Sequence, residues 1–171
     1  MRPAASGSPI RIRRAVASDV SALLELMRGL AEFERYDADF AVTVETLIAQ
    51  GFEREPPDFY ALVAEAPDAS GVLVGMLVYY LIPFTFRARP TLFIKELYVS
   101  DAGRGRGIGE ALMRAAANDA IAHGCASIKW QVAEWNTRAR AFYERLGAAA
   151  DRVWIDYNLS EAALRKLADE P

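Results

Sequence analysis

The chain has 171 residues, 53% of them hydrophobic and 25% charged, which is the composition of one globular domain with its own core and excludes intrinsic disorder. With 20 Lys and Arg against 23 Asp and Glu the net charge is −3, which excludes a strongly basic nucleic-acid binder. One cysteine, Cys125, and one histidine, His123, exclude an internal disulfide and a Cys/His zinc site, so no metal is expected and a Ser-His-Asp or Cys-His set would run through His123 alone.

Residues 1–9 are small and polar, with two prolines and no apolar stretch, and read as a flexible tail ahead of a domain over 10–171. No apolar run approaches the ~20 residues of a membrane span, and with the single cysteine this predicts a cytoplasmic protein without a membrane partner. Ile10–Arg14 alternates like a strand. Ser18 or Asp19 caps a helix in which Val20, Leu23, Leu24, Met27, Leu30 and Phe33 recur at helical spacing. An acidic, aromatic stretch from Glu32 to Asp39 follows. Thr43 caps a short second helix through Gln50, ended by Gly51. Phe59–Glu65 and Val72–Leu81 read as strands of a hairpin around the turn residues Asp68–Gly71. After a loop over Pro83–Pro90, Thr91–Val99 reads as the next strand.

A loop rich in Gly and Arg then opens a helix over about Gly107–His123, striped by Ile108, Ala111, Leu112, Ala115 and Ala122. Ser127–Ala133 reads as a strand. Asn136 or Thr137 caps a helix carrying Ala139, Phe142, Tyr143 and Leu146 on one stripe, closed by Gly147. Val153–Leu159 reads as a last strand, and Ser160 caps a terminal helix. Trp135 and Trp154 read as core, and His123 and Cys125 receive no chemistry. Strands and helices in this order make a mixed sheet in an α/β domain.

The segment Arg104-Gly105-Arg106-Gly107-Ile108-Gly109 lies between a strand and an amphipathic helix. Glycines there let the backbone approach a ligand, and the free N–H groups of the helix start favour phosphate or pyrophosphate, with the two arginines as further donors. It is not a Walker loop, since no Lys follows any of these glycines, and Glu110 stands where the third glycine of a dinucleotide fingerprint belongs.

This segment resembles the pyrophosphate loop of the GNAT acetyltransferase superfamily, R/Q-x-x-G-x-G/A, with Leu97-Tyr98-Val99 as its preceding Leu-x-Val strand. A second block of that family, N-x-x-A-x-x-F-Y-x-x-x-G, is met by Asn136, Ala139, Phe142, Tyr143 and Gly147. Val132-Ala133-Glu134-Trp135-Asn136, Leu62–Glu65 and Leu30–Glu34 are similar to the diamine acetyltransferase branch, which includes spermidine/spermine and thialysine acetyltransferases. The resemblance runs from about Ile10 to Ala168. It implies an α/β fold with a mixed, mostly antiparallel central sheet flanked by helices. It implies direct acetyl transfer from acetyl-CoA to a small primary amine, polyamine or diamino-acid-like, and a homodimer.

By the same resemblance Tyr143 protonates the departing CoA sulfur. Leu97, Tyr98, Val99, the loop Arg104, Gly105, Arg106, Gly107, Ile108 and Gly109, and Asn136 and Ala139 bind the cofactor. Asn136 also serves as a helix cap. Glu96 is the base or orients a water, and Glu34 binds the cationic amine. The polyamine enzymes carry two successive acids where this chain has Lys95-Glu96, and Lys95 repels a polycation or attracts a substrate carboxylate. Two other readings stand beside this one: a CoA-binding sensor or scaffold without turnover, and acetylation of a protein or peptide amine.

Overall fold

The computed structural model describes residues 10–66, 68–83 and 85–169, so the tail read over residues 1–9 lies outside the described residues. Two compact units follow one another along the chain, one ending at Gln131 and the other starting at Val132.

The first unit is built on a five-stranded sheet in the order β1-β2-β3-β4-β5. β1 (Arg11–Arg14), β2 (Tyr60–Ala66), β3 (Ala69–Ile82) and β4 (Thr91–Val99) pair antiparallel in succession, and β5 (Ser127–Trp130) joins β4 in parallel. With helices α1 (Val20–Glu34), α2 (Val44–Gly51) and α3 (Ile108–Ala122), this is the mixed, mostly antiparallel α/β architecture that the sequence implies. Leu23, Leu24, Met27 and Leu30 of α1 and Leu47 of α2 bury against Val63, Met76 and Val78. Each such side chain stabilises the fold by roughly 1.5–3 kcal/mol. α3 comes close to the sheet because β3 is bare at Gly75, where a Cβ would sit 3.0 Å from Ile108.

Two expectations for α1 change. Asp19 does not cap the helix; its carboxylate accepts from the Val16 N–H at 2.8 Å and from Arg13 at 2.6 and 2.9 Å, and a 3₁₀ turn over Ala17–Asp19 leads into α1 instead. Phe33 is not core: it is 44% exposed, at the end of the helix. Thr43 does cap α2, its hydroxyl accepting from the Thr46 N–H.

In the second unit, Asn136 caps α4 (Thr137–Arg145), its side-chain oxygen accepting from the Ala139 N–H at 3.1 Å. Ser160 does the same for α5 (Glu161–Asp169) through the Ala163 N–H. The strand read to Ala133 ends at Trp130, and the Ala133 carbonyl accepts from the Asn136 N–H in a turn. Val153–Leu159 forms no strand. The Asp151 carboxylate takes the Val153 N–H at 3.0 Å, diverting the backbone where a ladder would begin. Its apolar residues stay outside, as do the tryptophans read as core: Trp135 is 58% and Trp154 77% exposed.

Candidate active site

The pairing of β4 with β5 stops at Ile94 and Trp130. From Glu96 to Val99, β4 keeps β3 on one side, and no described strand pairs with it on the other. An open strand edge of this kind presents backbone N–H and C=O groups to a ligand that carries amides.

The register of β3 on β4 shifts at the same point. Val78 faces Glu96 and Tyr79 faces Ile94, so Lys95 is the extra residue of a bulge. Directly opposed residues share a face of the sheet, and period-two alternation adds Tyr80 to the face of Val78 and Glu96, which is the α1 side. α1 ends at Glu34, where Arg35 adopts a left-handed conformation (φ 64) that turns the chain into Tyr36.

The structure thus brings Glu34, Lys95 and Glu96 within one electrostatic neighbourhood. Burial raises the Glu96 carboxyl above its ordinary range; the Lys95 ammonium draws it back and the Glu34 carboxylate raises it further. Glu34 is itself raised by burial and lowered by Lys95. Tyr36 is pushed up to about 12, first by burial and then by Glu96 and Glu34. Tyr80 is raised by burial and then by Glu96. Among the described residues, the buried Oε2 of Glu96 has no hydrogen-bond partner. Such an orphan costs about 1–3 kcal/mol until a donor meets it.

The turn after β4 is fixed by Ser100, whose N–H and hydroxyl both donate to the Val74 carbonyl, at 2.9 and 3.2 Å. A 3₁₀ turn over Asp101–Gly103 follows, in which a Cβ on Gly103 would lie 2.9 Å from Val99 Cγ1 and 3.1 Å from the Val74 oxygen. Gly105 and Gly107 both have positive φ, 75 and 78, and Ile108 anchors the start of α3 with 1% exposure. The first N–H groups of α3 then point outward from the loop. Beside it a groove of about 390 Å³ runs along Gly107, Glu110, Ala111, Arg114, Ala115 and Asn118.

The two loop arginines are held by protein carboxylates. Arg104 pairs with Asp101 at 2.5 Å, donates to the Val99 carbonyl at 3.3 Å and lies 5.8 Å from the Phe33 ring centroid. Arg106 pairs with Asp68 at 2.9 Å. The cradle is therefore made first of backbone. On the second unit, α4 carries Asn136, Ala139 and Tyr143; the Tyr143 ring is half-buried and 5.2 Å from that of Phe142.

The Acetyltransferase (GNAT) family matches residues 21–148. A thialysine N-epsilon-acetyltransferase of Mus musculus is 34% identical, over 92% of this chain and 96% of that protein. The chain belongs to the GNAT acetyltransferase family. A spermidine/spermine N(1)-acetyltransferase-like protein 1 of Homo sapiens is 29% identical over 94% of this chain and 24% of its own length. A solved integron cassette protein from the mobile metagenome of V. cholerae superposes with a TM-score of 0.75 at 25% identity, covering 94% of this chain and 98% of that one. This GNAT protein is an N-acetyltransferase. No helix among its described residues is long and apolar enough to cross a membrane.

Sequence reasoning missed Tyr36 and Tyr80 as neighbours of the acids. Tyr80 was legible in part, being two residues from Val78 on one face of an evident strand, but only the register of β3 on β4 sets it near Glu96. Tyr36 depends on the left-handed turn at Arg35, for which no glycine gives a signal.

Proposed function

We propose that the chain transfers an acetyl group from acetyl-CoA directly to a small primary amine of the polyamine or diamino-acid class. The observation that carries this is the buried, unpartnered Oε2 of Glu96, set where β4 parts from β5 and beside the Glu34 carboxylate. The same place fits the cofactor. The open edge over Leu97, Tyr98 and Val99 suits the amides of a pantetheine arm, and the backbone of Arg104 to Gly109 suits a pyrophosphate. Asn136 and Ala139 belong to the same binding set by the family block, and Arg104 and Arg106 add charge around the loop. Acetyl-CoA supplies an acyl group already activated as a thioester, so the chain needs no nucleophile of its own.

What the chain must do is manage protons and position. An alkyl ammonium has a pKa of ~10.4, so on the order of one molecule in a thousand is neutral at pH 7. Glu96, raised by its burial, accepts that proton, directly or through one water, while Glu34 holds the cation at the entrance. The amine nitrogen bonds to the acyl carbon, the carbon–sulfur bond breaks, Tyr143 gives the sulfur its proton, and the second proton that the nitrogen sheds on becoming an amide restores Tyr143 through solvent. Residues 10–171 act as one catalytic domain in this reading, and the family resemblance extends it to a homodimer. The single cysteine supports a reducing, cytoplasmic setting.

Incubation with acetyl-CoA and a panel of polyamines and diamino acids, reading free thiol, tests the proposal. Thiol release that depends on the amine is the expected result. Tight CoA binding without release from any amine overturns it in favour of a sensor or scaffold. Light scattering tests the dimer, and a monomer removes that part.

A further inference from the structure

We propose that Tyr79 is a positioning residue for Glu96: its hydroxyl, held by Asp119 on the α3 face of the sheet, pins β3 at the register step and so keeps the Glu96 carboxyl on the opposite, α1 face. The inference takes from the acetyl-transfer reading above what Glu96 does, and goes beyond it to what puts Glu96 in place.

In a regular strand, residues two apart share a face, so Ile94 and Glu96 would point the same way. Here they do not. Ile94 is opposed by Tyr79, whose hydroxyl bonds to α3, and is buried on that face. Glu96 is opposed by Val78, which is buried in the α1 layer. The extra residue, Lys95, is what carries Glu96 across the sheet. With the step undone, Glu96 would leave Glu34 and enter the layer beneath α3. The face that the acid occupies is thus decided between Val78 and Tyr79.

Tyr79 is the best-anchored residue at that step. It is fully buried, and its hydroxyl donates to Asp119 Oδ2 of α3 at 2.7 Å. Arg14 of β1 donates to the same hydroxyl at 3.3 Å and to the same carboxylate oxygen at 3.2 Å. Tyr60 of β2, directly opposite in register, stacks on the Tyr79 ring with centroids 5.2 Å apart, and the Arg14 guanidinium lies 5.2 Å from the Tyr60 centroid. One side chain of β3 is therefore tied to α3, β1 and β2 at once. Burial, and then the Asp119 hydrogen bond, raise the hydroxyl above its ordinary range, so it remains a donor at neutral pH. The tie has something to hold against. The buried Oε2 of Glu96 has no hydrogen-bond partner among the described residues, and an orphan of this kind favours any local shift that hydrates it. A β3 fixed at Tyr79 keeps Val78, the partner of Glu96, from following such a shift.

A tie among three strands and a helix also stabilises the fold, and a purely structural role makes a different prediction: the variants melt earlier while Glu96 titrates as before. The Glu96 carboxyl titration, followed by carbon NMR, reads its surroundings without reference to activity. The groups that act on it or feel it, Lys95, Glu34, Tyr36 and Tyr80, are untouched by the substitutions. Tyr79→Phe keeps the ring and deletes the hydroxyl. Asp119→Ala deletes the acceptor at a helical position where alanine is favourable, and Asp119→Asn keeps an oxygen that accepts from Tyr79. Asp119 is partly exposed, so its variants are expected to fold, and circular dichroism checks this. In Tyr79→Phe and Asp119→Ala the Glu96 titration is expected to move down toward the ordinary carboxylate range. With it, kcat for acetyl transfer falls about tenfold, while KM for acetyl-CoA stays within about twofold because the Arg104–Gly109 loop takes no part in the tie. Asp119→Asn stays near wild type in both readings. An unchanged Glu96 titration in either folded deletion variant, whatever the melting temperature does, overturns the inference. Equal shifts in Asp119→Asn and Asp119→Ala overturn the role of the Tyr79 hydroxyl and give it to the Arg14–Asp119 ion pair. No thiol release by the wild-type protein with any amine overturns the acetyl-transfer reading alone, and the Glu96 titration still decides this inference.

Discussion

At the scale of single residues, Glu96 trades stability for chemistry. Its folded-state pKa is raised above the unfolded value by burial, with Glu34 adding and Lys95 opposing. Ionised Glu96 therefore works against folding: its contribution is neutral-to-favourable below the unfolded pKa and turns unfavourable as pH rises through the folded one. Replacing it with Gln removes that burden and the base together. Glu96→Gln is expected to melt no lower than wild type at pH 7, with any gain vanishing on acidification, and to lose about 10²–10⁴ in kcat/KM. Melting curves and initial rates on the same preparations check both halves; a lower melting temperature with unchanged rate would show Glu96 to be structural. The pH profile follows from the same shift. A base must be deprotonated to act, so the acid limb of kcat/KM lies above the usual carboxylate range. Removing the Lys95 ammonium, which lowers Glu96, moves that limb further up. A limb at the ordinary carboxylate value in both proteins would place the base elsewhere.

At the scale of elements, the turn between β4 and α3 is built around a position that admits no side chain. A methyl on Gly103 would press on Val99 Cγ1 at 2.9 Å and on the Val74 carbonyl at 3.1 Å, and the backbone oxygen cannot rotate away. Gly103→Ala is expected to cost about 1–3 kcal/mol, read by urea unfolding, and to weaken CoA binding, read by calorimetry, because the shifted turn carries the loop with it. The end of α1 presents the reverse case. Arg35 holds a left-handed conformation that glycine adopts without a Cβ penalty, so Arg35→Gly is expected to be neutral or to stabilise by about 0.5–1 kcal/mol in the same assay. These two sites also mark what the sequence could reveal. Thr91–Val99 was legible to the residue because its β-forming run has clear ends, and Thr43 and Asn136 because a cap is a local hydrogen bond. Lys95 was visible as a departure from the two-acid pattern, but not as a bulge, since the register of a strand pair is a property of two segments and the turns that join them. Val153–Leu159 misled because alternation reports what a strand could bury, while the Asp151 side chain claims the first N–H of the segment.

At the scale of the molecule, the first unit is tied together where its first strand, first helix and second strand meet. Arg13 of β1 donates to Asp19 at 2.6 and 2.9 Å, ahead of α1, and to Glu65 of β2 at 2.6 Å. Asp19 is 9% and Glu65 6% exposed; without Arg13, Glu65 keeps Arg11 at 3.4 Å, whereas Asp19 is left with the Val16 N–H and no charged partner of its own among those named. The sequence offered no sign of this, for three charges spread over 52 positions look like ordinary surface until the fold brings them together. The arginine hydrogen bonds are the largest influence on both acids and hold their carboxyls below the ordinary range, while the guanidinium is raised in turn. Depressed carboxylates add stability above their unfolded pKa and lose it as pH falls through the folded one. Arg13→Met keeps the packing of the stem and removes the charge. At pH 7 the variant is expected to be less stable by about 1–3 kcal/mol for the carboxylate stranded at Asp19, a visible share of the 5–15 kcal/mol typical of a domain. At acid pH, as it falls through the depressed range of the wild-type acids, their advantage is lost, so the gap between the two proteins' urea midpoints narrows. A gap of equal size at both pH values would mean that Arg13 stabilises by packing its methylenes, and that the clamp between β1, α1 and β2 is not electrostatic.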